Sequence, residues 1–559
     1  MRFVDVAADA GIDVVNVSGD PRRWYIPESN GCGAAWLDHD GDGDVDLFVA
    51  NGASVRYVDA SRSGTPGTRL EILHRASSRL YRNDGDLRFT DVTAETGAGR
   101  SEWINAVATG DVDGDGDPDL YLANLGADVF LRNDGGRFVD ATAASGLANP
   151  GWGTGAAFAD PDLDGDLDLY VANYCQFDPE NPPDGGRRNV IAGVEVAWGP
   201  EEENQRGFNP GAPNVFFLGD GAGGFRVATA EAGLALEKAL CSYAVVFCDV
   251  DLDGLPDLLV ANDMQPSNLF HNEGNARFDE QGMERGFALD AAGNATSAMG
   301  FAVADVDGDG DFDVLRTNFD FEPNSLHLND GRGYFTDRAE AFGLARPSVD
   351  KLGWGCGFFD AECDGDLDLL IANGHVYPQS EEIGMHPWAQ PTQLFEAVAD
   401  RRLGLVWRDA TDRAGPGLEP LRAARGVALG DPDGDGDVDI LVVDLDGPPR
   451  LLENRSRRQG RWLAVRTVGT LSNRDGYGAI VSVHAGDRVW TREVRTSGGL
   501  YSAHDPRLHF GLGDVERVDR VEIRWPSGIV QIVEDPELDR LHTLTEPSQS
   551  KLPATEARR

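Results

Sequence analysis

The chain is poor in cysteine, in basic charge and in long apolar runs. Its six cysteines (Cys32, Cys175, Cys241, Cys248, Cys356 and Cys363) include no C-x-x-C pair, which excludes the usual zinc and dithiol motifs. Most sit in apolar, strand-like runs and read as small core residues. No stretch approaches the roughly 18 consecutive apolar residues of a membrane-spanning helix. Lys and Arg number 49 against 95 Asp and Glu, giving a formal net charge of −46. Such a surface repels nucleic-acid phosphate. No Gly-rich phosphate loop and no G-x-S-x-G elbow is present, and spacing assigns no Ser/His/Asp set. The sequence opens on strand-like Phe3-Val4-Asp5-Val6 rather than an apolar leader, so no signal peptide is expected in it.

Aspartate is in excess, and in one arrangement. Asp38-His39-Asp40-Gly41-Asp42-Gly43-Asp44-Val45-Asp46 reads D-x-D-x-D-G-x-x-D. Hard Ca²⁺ takes six to eight oxygens at about 2.3–2.6 Å, which alternating carboxylates on a tight turn supply, with a glycine at position 6 making the turn and the backbone carbonyl of position 7 adding a ligand. The pattern recurs from Asp111, Asp160, Asp249, Asp305, Asp360 and Asp431. The side-chain ligands at positions 1, 3, 5 and 9 are therefore Asp38, Asp40, Asp42 and Asp46, then Asp111, Asp113, Asp115 and Asp119, then Asp160, Asp162, Asp164 and Asp168. They continue with Asp249, Asp251, Asp253 and Asp257, with Asp305, Asp307, Asp309 and Asp313, with Asp360, Glu362, Asp364 and Asp368, and with Asp431, Asp433, Asp435 and Asp439. These windows hold 34 of the 95 acidic residues; outside them 61 acidic residues face 49 basic ones. The acidity is thus concentrated metal-binding potential, and up to seven structural Ca²⁺ ions are expected.

The flanks decide what kind of loop this is. An EF-hand needs helices on both sides and a Glu at position 12. Here the loops follow runs of alternating small and large residues such as Gly300-Phe301-Ala302-Val303-Ala304 and precede continuous apolar runs such as Leu120-Tyr121-Leu122-Ala123-Asn124. The first suits a strand beside a crowded axis, the second a strand buried on both faces. A third strand runs into Asn83-Asp84-Gly85, Asn133-Asp134-Gly135 or Asn329-Asp330-Gly331, a strong hairpin signal, and a fourth opens with an aromatic such as Phe89 or Phe138. Four strands per repeat, seven times, predict an all-β, seven-bladed β-propeller over residues 1–455. The seventh repeat lacks its fourth strand, and Phe3-Val4-Asp5-Val6 matches Phe89-Thr90-Asp91-Val92, so the N-terminus is expected to close the ring. Residues 456–461 read as a linker, 462–547 as a small β domain with period-two strands, and 548–559 as a disordered tail.

The repeats resemble the FG-GAP/VCBS repeats of the integrin α-subunit propeller. The block carrying Asn473-Arg474-Asp475-Gly476-Tyr477-Gly478-Ala479, Asp505-Pro506-Arg507-Leu508-His509-Phe510-Gly511-Leu512-Gly513 and Arg524-Trp525-Pro526-Ser527-Gly528 resembles an ASPIC/UnbV domain. With Asn373-Gly374-His375-Val376-Tyr377-Pro378, the whole is similar to the cartilage acidic protein family. That resemblance implies a Ca²⁺-binding protein outside the cytoplasm, whether extracellular, cell-surface or periplasmic; the missing signal peptide fits a cytoplasmic one instead. The long insertions at 51–79, 173–213 and 373–392 all join second to third strands, which places them on the face away from the loops. By analogy with integrins that face takes the ligand. It offers Tyr174, Trp198, His375, Tyr377, His386 and Trp388; the plainer reading is that these side chains pack the insertions down, the alternatives a ligand surface or a catalytic or metal role for His375 and His386. The first functional expectation is a non-enzymatic ligand-binding or adhesion module with a protein or glycan partner. The second is an enzyme or accessory biosynthetic factor acting near His375, and the third a purely structural matrix component.

Overall fold

A computed structural model describes residues 1–21, 23, 25–59, 68–177, 189–191, 194–196 and 210–548. The tail beyond 548 and Trp198 lie outside the described residues. The chain is nearly all β and forms a propeller whose blades each hold four antiparallel strands, the sheet of the first being extended to six by residues 497–503. They contain, in turn, Ala34–Leu37 to Phe89–Asp91, Ile104–Gly110 to Phe138–Asp140, Gly153–Ala159 to Phe225–Val227, Ser242–Cys248 to Phe278–Glu280, Phe301–Ala304 to Thr336–Asp337, and Gly353–Phe359 to Gly404–Asp409. A further sheet takes Ala424–Gly430, Asp439–Asp444 and Arg450–Asn454 from the end of the repeat region and Phe3–Asp5 from the start of the chain. There Phe3 pairs with Asn454 and Asp5 with Leu452. Phe3 is fully buried and meets Phe359 of the preceding blade edge-on, ring centroids 6.1 Å apart. The first strands pack on one another around the ring, and Ala34–Leu37 packs on Ala424–Gly430.

The Asp-rich stretches are the hairpins between first and second strands. In every blade the residue before position 1 pairs with the Asp at position 9: Leu37 with Asp46, Gly110 with Asp119, Ala159 with Asp168, Cys248 with Asp257, Ala304 with Asp313, Phe359 with Asp368 and Gly430 with Asp439. One register therefore puts all these loops on one face. All six cysteines are buried and unbridged; Cys175 and Cys241 lie with their sulfurs 3.1 Å apart.

Residues 461–545 build two further sheets, one from Arg461–Val468, Leu508–Gly513 and Leu541–Thr545, the other from Ile480–Ala485, Arg488–Glu493, Arg520–Arg524 and Val530–Glu534. The period-two pattern gave those strands. It did not show that residues 497–503 leave this domain and enter the propeller axis. Ala503 pairs in parallel with Ala35. The Val107 amide donates to the Tyr501 carbonyl, the Cys356 amide to the Gly499 carbonyl, and the Gly499 amide to the Phe301 carbonyl. Gly33 explains itself here: a Cβ on it would lie 2.1 Å from the Tyr501 carbonyl oxygen. Leu500 (φ 88°) and Tyr501 (φ 62°) are held in left-handed backbone that costs a non-glycine residue about 1–3 kcal/mol. The surrounding blades fix that conformation, since both side chains are buried.

Candidate metal centres and the two faces of the ring

Each loop is shaped by its own carboxylates. The amide of position 7 donates to the position-5 Asp in all of them, at 2.8–3.2 Å. The position-6 glycine amide donates to the position-1 Asp, as Gly116 does to Asp111 (2.7 Å) and Gly365 to Asp360 (2.7 Å). Position 6 has φ between 87° and 100° throughout, a region only glycine enters without strain. Position 4 is left-handed as well, and there Leu163, Leu252 and Cys363 stand where other loops have glycine.

The position-9 Asp does more than end the loop. One of its oxygens accepts a backbone N–H from the third strand in every blade, at 2.7–2.9 Å: from Asn83, Asn133, Gly219, Asn272, Asn329, Ala397 and Asn454. The other accepts the amide of position 2 from His39, Val112, Val250, Val306 and Ala361. In the third loop position 2 is Pro161, which has no N–H, and the second oxygen of Asp168 is left buried without a partner. Two histidines join position 9: the His39 ring bonds Asp46, and the His271 ring lies 2.9 Å from Asp257.

Positions 1, 3 and 5 are what remains for a cation. In Asp38/Asp40/Asp42, Asp111/Asp113/Asp115 and Asp160/Asp162/Asp164 the nearest carboxylate oxygens all lie within 4.8 Å of one another. Asp38, Asp113, Asp162, Asp251 and Asp431 each keep one buried oxygen with no hydrogen-bond partner, and so does Glu362 at position 3 of the sixth loop. Burial first, then a nearby carboxylate, pushes the position-1 carboxyls up: to about 7 for Asp111, beside Asp475, to about 7 for Asp160, beside Asp164 and Asp162 of its own loop, and to about 8 for Asp249, beside Glu493. Basic groups reach some of these residues through their other oxygens, Arg466 at Asp38 and Arg285 at Asp251, but crowded acid oxygens that keep no hydrogen-bond partner suit a hard divalent cation.

The Asn of each Asn-Asp-Gly turn carries a role the turn signal did not reveal. Its side-chain amide bridges two blades. Asn133 Nδ2 donates to Pro118 O of its own loop (3.3 Å) and to His39 O of the preceding loop (2.9 Å). Asn272 and Asn329 repeat the bridge, Asn454 reaches Ala361 O, and Asn83 reaches Pro432 O across the seam. Where the third blade has Gly219 and the sixth Ala397, no such amide exists.

The C-terminal domain docks on this loop face through Asp475, Asp505, Arg507 and His509 of the motifs quoted above, joined by Glu493 and Arg466. Asp475 accepts the Asp111 amide (2.8 Å), Glu493 the Asp249 amide (3.1 Å) and Asp505 the Asp431 amide (3.4 Å). Arg466 reaches Asp38 (3.2 Å), Arg507 the Asp431 carbonyl (2.7 Å), and His509 the Gly436 carbonyl (2.8 Å).

On the opposite face the structure buries most of the insertion aromatics. Tyr174 is fully buried, its hydroxyl bonded to Asp263 (2.5 Å) and its ring 4.4 Å from that of Tyr243. His375 and Tyr377 are buried, whereas His386 and Trp388 are partly exposed. Sequence reasoning missed Asp320, which is buried between two of these residues: His386 bonds one oxygen, and His375 Nε2 lies 3.6 Å from the other. Burial raises the Asp320 carboxyl, but the nearby His375 ring and the hydrogen bonds from the His386 amide and ring outweigh it and hold the pKa at about 2. Beside them the buried Arg425 guanidinium lies 4.1 Å from the Trp354 ring centroid and donates to the carbonyls of Ser29, Gly374 and His375.

A family model of the FG-GAP-like repeat matches residues 38–122, 111–171, 249–316 and 305–371, and one of the ASPIC and UnbV domain matches 469–551. Cartilage acidic protein 1 of Mus musculus is 25% identical over 330 residues, 56% of this chain and 46% of that protein. The Homo sapiens protein is 25% identical over 331 residues, 56% and 45%. The chain thus spans less than half the length of these curated relatives. Among solved structures it is similar to BBS1N in complex with ARL6DN (11% identity, TM-score 0.41, covering 82% of this chain and 99% of that one) and to YCF48 bound to D1 peptide (8%, TM-score 0.38, 75% and 92%). At those scores neither likeness bears on function.

Proposed function

We propose that this chain, which carries FG-GAP repeats and a C-terminal ASPIC and UnbV domain, is a calcium-clasped binding module that works outside the cytoplasm. The observation that carries the metal reading is the set of buried, partnerless carboxylate oxygens at positions 1 and 3. Calcium supplies positive charge that offsets their repulsion. The protein's residues do the rest: position 9 fixes the third strand, the Asn bridges fix the neighbouring blade, and positions 1, 3 and 5 present the oxygens.

The C-terminal domain covers the loop face, which leaves the insertion face for a protein or glycan ligand. Among the described residues of the expected set, His386 and Trp388 reach solvent there. Chemistry near His375 is the second reading, favoured by the Asp320–His375–His386 cluster. The test is thermal unfolding of the full chain in chelator, in millimolar Ca²⁺ and in millimolar Mg²⁺. A ligand of the folded state alone stabilises by about 2.7 kcal/mol per site at a hundred times its Kd. Chelator is expected to lower Tm by many degrees and Ca²⁺, not Mg²⁺, to restore it; one common curve in all three would refute the clasp.

A further inference from the structure

Between the C-terminal domain and the loop face lies a cavity of about 450 Å³. That falls in the range of small-molecule sites, which favour domain interfaces. Its walls are largely apolar: Val303, Phe312, Phe358, Leu429, Trp462 and Leu508 line it. Most of its acidic groups have partners, although Asp431 keeps one buried oxygen without one. Asp505 holds Arg507, Glu493 holds Arg495 at 2.7 Å and the Asp249 amide, and Asp539 pairs with Arg461. Asp360 and Asp431 accept amides of their own loops, and Asp44 lies at the first loop.

One cation lining the cavity is not so committed. Arg492 donates through Nε to the His509 carbonyl (2.6 Å), and its guanidinium lies 5.1 Å from the Phe510 ring centroid. Its two terminal nitrogens have no hydrogen-bond partner among the described residues. His504 adds a second donor. Its Nδ1 accepts the Leu429 amide (3.0 Å), so Nε2 carries the hydrogen, and that N–H also lacks an acceptor among the described residues. A planar guanidinium with both terminal nitrogens free matches a carboxylate bidentately.

We propose that this cavity binds a small carboxylate with an apolar body, its head received by Arg492 and its body by the apolar wall. The site lies on the opposite side of the ring from the insertions and does not depend on what binds there.

Decanoate is a suitable probe, with the full chain kept in Ca²⁺ throughout. Calorimetry is expected to show saturable one-site binding, with decanol and inorganic phosphate each at least about tenfold weaker, because each lacks half of the recognised group. Arg492→Gln should weaken decanoate about tenfold or more, the share of a charged hydrogen-bonded pair, in a chain that still melts cooperatively, its midpoint lowered only by loss of the contacts to His509 and Phe510. A photoreactive decanoate analogue on the wild-type chain gives a readout that needs no variant: its label should map to the segments around Val303, Leu429 and Trp462. Absence of saturable binding, equal affinity for decanol, equal affinity of folded Arg492→Gln, or labelling elsewhere would each overturn the proposal.

Discussion

Asn133→Ala is the substitution that most cleanly isolates how the blades are joined. Asn133 is fully buried. Its Nδ2 serves the carbonyls of His39 and Pro118, and its Oδ1 accepts the Gly136 amide at 2.9 Å. Alanine removes all three bonds and leaves the His39 carbonyl, on a buried residue, without its donor. A buried polar group stripped of its partner costs about 1–3 kcal/mol. The Pro118 carbonyl and the Gly136 amide sit nearer solvent and recover part of theirs from water. The sum is about 2–4 kcal/mol. The neighbouring Arg132→Ala, which removes only an exposed pair with Asp134, should cost below about 1 kcal/mol. Urea denaturation in saturating Ca²⁺ measures both, with the midpoint falling at unchanged m. If Asn133→Ala costs no more than Arg132→Ala, the inter-blade bridge has no energetic role.

Phe3→Ala should destabilise by about 3–5 kcal/mol, as for a fully buried Phe, and lower the single midpoint of the whole ring; hydrogen-exchange loss confined to the last blade would refute closure as a global constraint. Tyr501→Phe should be neutral or stabilising, because the buried hydroxyl has no hydrogen-bond partner to lose; a clear drop in Tm would contradict this. Asp320→Asn should cost about 2 kcal/mol at neutral pH, from a carboxyl whose folded pKa of about 2 lies below the usual 3.8. A depressed folded pKa gives stability that is present above pH ~4 and lost as pH falls through 2. The gap between wild type and variant in urea midpoint should therefore close over that window, and a gap independent of pH would refute the ionised Asp320.

Local signals carried the repeat because they are local. The glycine at position 6 must turn at positive φ, and the position-9 Asp must begin a strand, so nine residues reveal the hairpin wherever they occur. Period two likewise revealed the strands from Leu463 to Trp525. What sequence concealed was set by contacts between distant segments. Nothing around Asn133 announces that its amide crosses to His39, since the turn alone accounts for an Asn there. Nothing around Leu500 and Tyr501 announces an axial plug, because the small residues that receive it, such as Gly33, read equally as a crowded axis. The insertion aromatics looked available because aromatic residues on a loop carry no mark of depth; Tyr174 and His375 are buried by Tyr243, Phe319 and Asp320 from other blades.

Calcium stoichiometry on the chelator-treated full chain decides most about the clasps. Calorimetric titration is predicted to find several sites, up to seven, and Asp113→Asn, which neutralises a carboxylate with a buried orphan oxygen, is predicted to remove or weaken one while the others persist. No binding heat at millimolar Ca²⁺, or an isotherm identical in wild type and Asp113→Asn, would contradict the role assigned to these loops.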